Sequence, residues 1–241
     1  MVAAHSNLSF MELLSFGDTG WGDEMLRACF MTLAVSLCAM AFGLVLAIPF
    51  VLMKLSQSWI LKTFANFFTT IVRGIPELLI IYLFFFGSSA AIMYVASIFG
   101  YDGYIEINAF LVGAFCVGII CAAYSTEVLR GAVKAIPKGQ IEASHAFGIR
   151  GSRMLFGVMI PQTLRIALPG IGNIWQLVLK DTALISVTGL VEIMRQAHVA
   201  SGSTRNPFLF LVTAAILYLI LTTISNKFFQ KAETKYSKGF V

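Results

Sequence analysis

The chain has 241 residues, of which 58% are hydrophobic and only 12% charged, against roughly a quarter charged in ordinary soluble domains. Water alone is therefore excluded as its solvent, and at about 20 residues per span the length threads a bilayer five or six times, with little left for a soluble domain. The formal net charge of +5 raises nucleic acid as a partner, a reading that the placement of the charges removes.

Residues 1–24 are polar and turn-rich, with Asp18, Gly20, Gly22 and Asp23, and predict a periplasmic segment leading into the first span. The first apolar run, Met25 to Met53, is too long for the apolar part of a secretory signal, and no short basic segment precedes it, so it predicts a retained helix. Ser56, Gln57 and Ser58, enclosed by Lys54 and Lys62, read as a short inner connection. The second run, Ile71 to Ile98, opens with Arg73, Gly74, Pro76 and Glu77. Pro76 breaks the helix ladder and leaves backbone groups to be satisfied, which suits a gate beside a pore and equally suits the ordinary start of a span.

A short outer connection follows, Asp102 to Glu106, with Gly100 and Gly103. The third run, Ile107 to Leu129, ends with Glu127 and Arg130, spaced i to i+3 for a structural pair on one helix face. The longest polar stretch, Arg130 to Arg165, holds six of the seventeen basic residues. Its middle predicts a helix from about Lys138 to Phe147, a stop at Gly148, a second helical piece and a break before Pro161. The fourth run, Ile166 to Ile193, contains Pro169, Gly170 and Gly172, which allow a kink or a close helix approach. The fifth, Phe208 to Phe229, precedes a tail, residues 230–241.

Long continuous runs without residue-by-residue alternation point to α-helices, which satisfy their own backbone groups in lipid, rather than to a barrel. With the N-terminus outside, the inner segments carry thirteen Lys and Arg residues, from Lys54 through the Arg130 to Arg165 loop to Lys238. The outer segments are mostly acidic (Glu12, Asp18, Asp23, Glu24, Asp102, Glu106 and Glu192), with only Arg27, Arg195 and Arg205 basic. By the positive-inside rule the C-terminus is then cytoplasmic, as an odd number of spans requires. Cys29, Cys38, Cys116 and Cys121 fall within apolar runs and His5, His145 and His198 are far apart, so no metal site is expected.

Two charges, Lys180 and Asp181, fall near the middle of the fourth run, where each costs about 2.5–3.5 kcal/mol on insertion scales. Neighbours on a helix point about 100° apart. One arrangement turns Asp181 to a central cavity and Lys180 to another polar group or the interface; the alternative is a polar contact that glues helices or subunits together.

Glu142, Ala143 and Ser144, followed by Gly148, then Val158, Ile160 and Pro161, resemble the EAA motif of ABC importer permeases, with Ser144 where Ala is commoner and Val158 for the usual Ile. RGIPELL at Arg73 to Leu79, AAYSTEVLRGA at Ala122 to Ala132, AIPKGQIEA at Ala135 to Ala143 and LPGIGNIWQLVLKDTALISV at Leu168 to Val187 are similar to the polar amino acid branch of that family. The likeness, to permeases for histidine, arginine, octopine and nopaline, extends over nearly the whole chain. It implies an all-α integral membrane fold, five transmembrane helices in a type I ABC importer permease bundle, with residues 131–161 as a cytoplasmic coupling loop. The loop's helix would dock on a nucleotide-binding subunit through Ile141, Glu142, Ala143 and Gly148, within a motif closed by Pro161. In arginine-type relatives the position matching Asp181 helps hold the cationic side chain, and Lys180, Thr182, Gln176 and an opposing subunit would supply further contacts. Those relatives also have an acidic residue a turn or two earlier, where this chain has Ile174.

The chain contains no GxxxxGK[ST] phosphate loop, so no catalytic site or cofactor is expected in it, and ATP with magnesium is assigned to a partner. The expected partners are an ABC ATPase dimer, a second permease subunit in a heterodimer by preference, a periplasmic solute-binding protein and the lipid of a bacterial inner membrane, with no nucleic acid. A basic loop helix lying on anionic lipid is the bland reading of residues 131–161. A self-sufficient ion-coupled carrier or channel is the competing function. An intramembrane enzyme lacks a histidine within a span and a His-Glu-x-x-His site.

Overall fold

The computed structural model describes residues 10–17, 20–100 and 108–237. His5, Asp18, Asp102, Gly103, Glu106 and Lys238, and with them the outer connection read from Asp102 to Glu106, lie outside the described residues. Among those described the chain is helical without strands. In order come α1 (Phe10–Leu13), α2 (Gly22–Leu55), α3 (Trp59–Gly74), α4 (Glu77–Ile98), α5 (Ala109–Lys134), α6 (Lys138–Ala146), α7 (Gly151–Met154), α8 (Ile160–Ile185), α9 (Ile193–Thr204) and α10 (Pro207–Ser237). Five helical stretches are long and apolar enough to cross a membrane: Gly22–Leu55, Glu77–Tyr94, Ala109–Lys134, Gly151–Thr188 and Pro207–Tyr236.

The centre of the bundle is α5 packed between α2 and α8. Val35, Ala39 and Met40 of α2 meet Ala114, Val117 and Cys121 of α5 and Trp175, Val178 and Leu179 of α8 in one buried cluster. Small residues let α2 and α5 close on each other. A methyl group at Gly43 would stand 2.6 Å from the Cys121 Sγ, and one at Gly118 2.4 Å from Phe42, both far inside contact distance. A second cluster joins Met25, Ala28 and Cys29 of α2 to Ile193, Ala197 and Ala200 of α9 and Phe210 and Ala214 of α10. The α4 and α10 spans leave most of their apolar surface uncovered by this chain, as expected of helices that face lipid or a partner subunit.

Three departures from the sequence reading have physical causes. The segment before Pro76 is not a connection running into a span that begins at Ile71. Instead Trp59–Gly74 forms a separate amphipathic helix, and the second apolar helix begins at Glu77, after a break at Ile75 and Pro76. There is no break before Pro161. Residues Leu155–Met159 open into a π turn and the helix continues through the proline, because the wider turn accommodates a ring that would otherwise meet the carbonyl four residues back. The fourth span ends at Thr188 rather than Ile193, followed by Gly189 at φ +89° and then α9.

Candidate functional site

At one end of the bundle, three residues, Ala135, Ile136 and Pro137, connect α5 to α6. Ile136 is buried and so pins the connection to the bundle. The nine-residue α6 ends in a left-handed turn: Gly148 lies at φ +72°, its N–H donates to His145 O (3.0 Å), and Ile149 N–H donates to Ser144 O (2.8 Å). These two bonds cap carbonyls that the helix end would leave open, and glycine takes the positive φ at little cost. Glu142 and Ala143 are exposed, Ile141 is half-buried, Ser144 is buried, and Pro161 is exposed some way along the chain beyond the π turn. Phe147, at the tip, is 84% exposed. The helix expected from sequence ends at Phe147 and gives that side chain no role, although a phenylalanine beside the motif is the available signal. The result is a short rigid projection with a polar face and one uncovered aromatic ring.

A second constellation lies within the bundle. Arg73, Gly74, Pro76 and Glu77 read from sequence equally as a gate and as the start of a span, and Asp181 as part of a pathway or as a polar helix contact; the structure brings Arg73, Glu77 and Asp181 together around Tyr124. Asp181 is buried, with Oδ2 lacking any hydrogen-bond partner, and it lies within electrostatic reach of Glu77 and of Lys180. Tyr124 of α5 stands between the segments: its hydroxyl is 3.5 Å from Glu77 Oε1, and the Arg73 guanidinium lies 5.2 Å over its ring. No ion pair among the described residues joins Arg73, Glu77 or Asp181 to another side chain. The break at Pro76 is what allows this, since it ends α3 with Arg73 and starts α4 with Glu77 on either side of Tyr124.

The other pathway candidates separate. Lys180 is exposed, on a different face from its neighbour Asp181, as their angular spacing requires. Gln176 donates to Asn226 Oδ1 of α10 (2.6 Å), and Thr182 stands 3.5 Å from the Tyr218 hydroxyl, also on α10. Neither Gln176 nor Thr182 faces the Asp181 cluster. Pro169 is exposed and Gly170 half-buried; both sit inside a continuous α8, with Gly170 so close to Val128 of α5 that a methyl group there would be 2.6 Å from it.

Two buried polar networks were not foreseen as such. Near the α6 end, Glu127 Oε2 accepts from Arg130 Nε (2.9 Å) and Nη2 (2.7 Å), while Oε1 forms an ion pair with Lys54 of α2. Lys54 Nζ also donates to Thr69 Oγ1 of α3 at 2.6 Å. Spacing alone gives only the Glu127 and Arg130 pair, and leaves Lys54 among the inner charges. At the opposite end, Glu192 is fully buried and caps α9, accepting from Met194 N (2.9 Å) and Arg195 N (2.6 Å) and from the Tyr218 hydroxyl (2.7 Å). Ile193 N donates to Thr32 Oγ1 of α2 (3.3 Å), so the network spans α2, α9 and α10. Glu192 lies beyond the fourth span, and burial pushes its carboxyl above the usual carboxylate range although its three donors pull the other way.

Comparison with known proteins gives a consistent likeness. Residues 39–235 match the family described as binding-protein-dependent transport system inner membrane component. The octopine transport system permease protein OccQ of Agrobacterium tumefaciens (strain Ach5) is 52% identical over 233 residues, 96% of this chain and 98% of that protein. The histidine/lysine/arginine/ornithine transport system permease protein HisQ of Salmonella typhimurium is 37% identical over 220 residues, 91% of this chain and 96% of that protein. A crystal structure of an amino acid ABC transporter with histidines superimposes with a TM-score of 0.79 at 26% identity, covering 95% of this chain and 99% of that one.

Proposed function

The chain belongs to the family of binding-protein-dependent transport system inner membrane components, and on that premise we propose that it carries a basic amino acid or an opine across the membrane through a path lined by the Arg73, Glu77, Tyr124 and Asp181 cluster. It is a permease subunit of an ATP-binding-cassette importer, an inner-membrane component with several membrane-spanning helices. Relatives of both substrate types are ABC permeases, and the ion-coupled carrier is set aside.

The observation that carries the substrate reading is the unpartnered Asp181 carboxylate oxygen beside a second acid, Glu77. Two carboxylates within electrostatic reach of one another, one of them buried, invite a cation. The guanidinium or ammonium of arginine, histidine, lysine, ornithine, octopine or nopaline supplies one. Arg73, exposed and stacked on Tyr124, offers the opposite charge to a substrate carboxylate. Gln176 and Thr182 are engaged with α10 and belong to the scaffold of α8 in this reading. Lys180, exposed on the same helix, is left to face the path or the second subunit.

ATP is hydrolysed by a separate pair of ATPase subunits, on which α6 docks with Ile141, Glu142 and Ala143 and the Phe147 ring as an apolar anchor. One such bundle leaves Arg73 and Lys180 uncovered, so a second permease subunit, a different chain by preference, completes the path. A periplasmic binding protein delivers the substrate at the α9 end, which places the N-terminus outside and the α6 end in the cytoplasm in accord with the basic loop.

The test is arginine uptake by proteoliposomes that contain the full complex with Asp181→Asn. Loss of a charge-assisted bond of about 1.5–3 kcal/mol lowers uptake by roughly ten- to a hundredfold, with ATPase association unaltered. Unchanged uptake of every basic substrate removes Asp181 from the path. Calorimetry of the cognate binding protein against the same amino acids and opines decides among them.

A further inference from the structure

Helix α5 carries both polar constellations and connects to α6 through three residues. Cys121, which lies within electrostatic reach of Asp181, is followed at three-residue steps by Tyr124, Glu127 and Arg130, each a surface neighbour of the next along a line that winds by about 60° per step. Tyr124 touches Glu77 and Arg73, on the two sides of the Pro76 break. Glu127, one turn nearer α6, divides its two oxygens. Oε2 takes the bidentate Arg130 contact within α5, and Oε1 takes Lys54 of α2, with the Thr69 hydroxyl of α3 3.4 Å away. Lys54 closes the triangle by donating to Thr69.

From this geometry we propose that Glu127 is a positioning residue for transport, the knot that makes α3 follow α5 when α6 is displaced. A push on α6 reaches α5 through three residues, one of them buried. With α3 tied to α5 at Thr69, Arg73 at the end of α3 moves with the push. The helix ladder is interrupted at Ile75 and Pro76, so α4 is free to lag, and the separation of Arg73 from Glu77 around Tyr124 changes. The knot therefore converts motion at the ATPase into a changed arrangement of charges at the cluster. Without it, α5 slides past α3 and the cluster keeps one shape.

This inference rests on the reading of α6 as the ATPase contact and of the Asp181 cluster as the substrate path, and the experiment separates the two. In the reconstituted complex with its ATPase and binding protein, substrate transported and ATP hydrolysed are measured together for Glu127→Gln, for Lys54→Met with Glu127→Gln, and for Thr69→Val. The proposal expects uptake per ATP to fall by about tenfold in Glu127→Gln, the size of an ordinary coupling free energy, while hydrolysis stimulated by the binding protein persists. It expects the double variant to remain equally uncoupled. Thr69→Val removes the α3 arm without leaving a buried charge, and it keeps the test readable if Glu127→Gln does not fold; its expected loss is in the same ratio. Recovery of wild-type uptake per ATP in the double variant overturns the proposal, since Glu127 then merely neutralises Lys54. A proportional fall of uptake and hydrolysis in all three also overturns it. Failure of the substrate reading registers elsewhere, as unaltered uptake in Asp181→Asn, and leaves the ratio measured in these variants intact.

Discussion

Replacing Glu127 with Gln removes the single negative charge that Lys54 and Arg130 share, and the stability cost follows from where each partner is left. The Lys54 side chain is 5% exposed, so its ammonium keeps only the neutral Thr69 hydroxyl and whatever the new amide offers. Breaking a fully buried pair by removing one partner costs about 3–5 kcal/mol. Glu127 is 21% exposed and Arg130 33%, so water reaches part of the site and Arg130 can turn outward, which reduces the cost to about 2–3 kcal/mol. Combining it with Lys54→Met deletes the stranded cation and fills similar volume, bringing the cost to about 1 kcal/mol or less. In a chain of this size, unfolding temperatures move by about 2–4 °C per kcal/mol. Thermal unfolding in lipid nanodiscs should therefore show Glu127→Gln melting roughly 4–12 °C below wild type, with the double variant recovering most of that loss. Equal melting temperatures for the single and double variants would refute the argument that a buried Lys54 charge is what Glu127 holds.

Phe147→Ala should leave the bundle's own melting temperature unchanged, because the ring is 84% exposed and supports nothing within the chain, yet weaken capture of the ATPase by about 2 kcal/mol or more as an anchor residue does; affinity measured by surface titration of the ATPase on immobilised permease checks both. Glu192 gives a dependence on pH. Its folded-state pKa is raised by burial, so its stabilising contribution is complete below the unfolded carboxylate value and is lost as pH rises through the folded one. Melting of wild type compared with Glu192→Gln should therefore show wild type gaining relative stability as pH falls from neutral toward the ordinary carboxylate range, and a difference independent of pH would contradict it.

The five apolar helices were legible because their signal is local: length and composition decide them, and lipid imposes both. The α6 projection was legible for the same reason, since its helix and the left-handed Gly148 are written in adjacent residues. What escaped depended on partners distant in sequence. Glu192 looks like any outer carboxylate until Tyr218, 26 positions on, and the backbone of α9 close around it. Lys54 counts as an inner-surface charge until Glu127, 73 positions away, withdraws it into the bundle. Amphipathic α3 and polar α9 were lost because neither is apolar enough to read as a span nor flanked by a decisive start signal. Sequence separation keeps Arg73 and Glu77, a gate or a span start, apart from Asp181, a pathway residue or a polar helix contact, whereas the helix break at Pro76 and the Tyr124 side chain bring them into one cluster.

The claim on which the account turns is that an ATPase drives this path through α6, and vesicles answer it directly. Proteoliposomes holding the two permease subunits and an internal ATP supply, given binding protein and a basic substrate outside, should accumulate that substrate only when the ATPase is also present. Accumulation without the ATPase, driven by an ion gradient alone, would contradict the account.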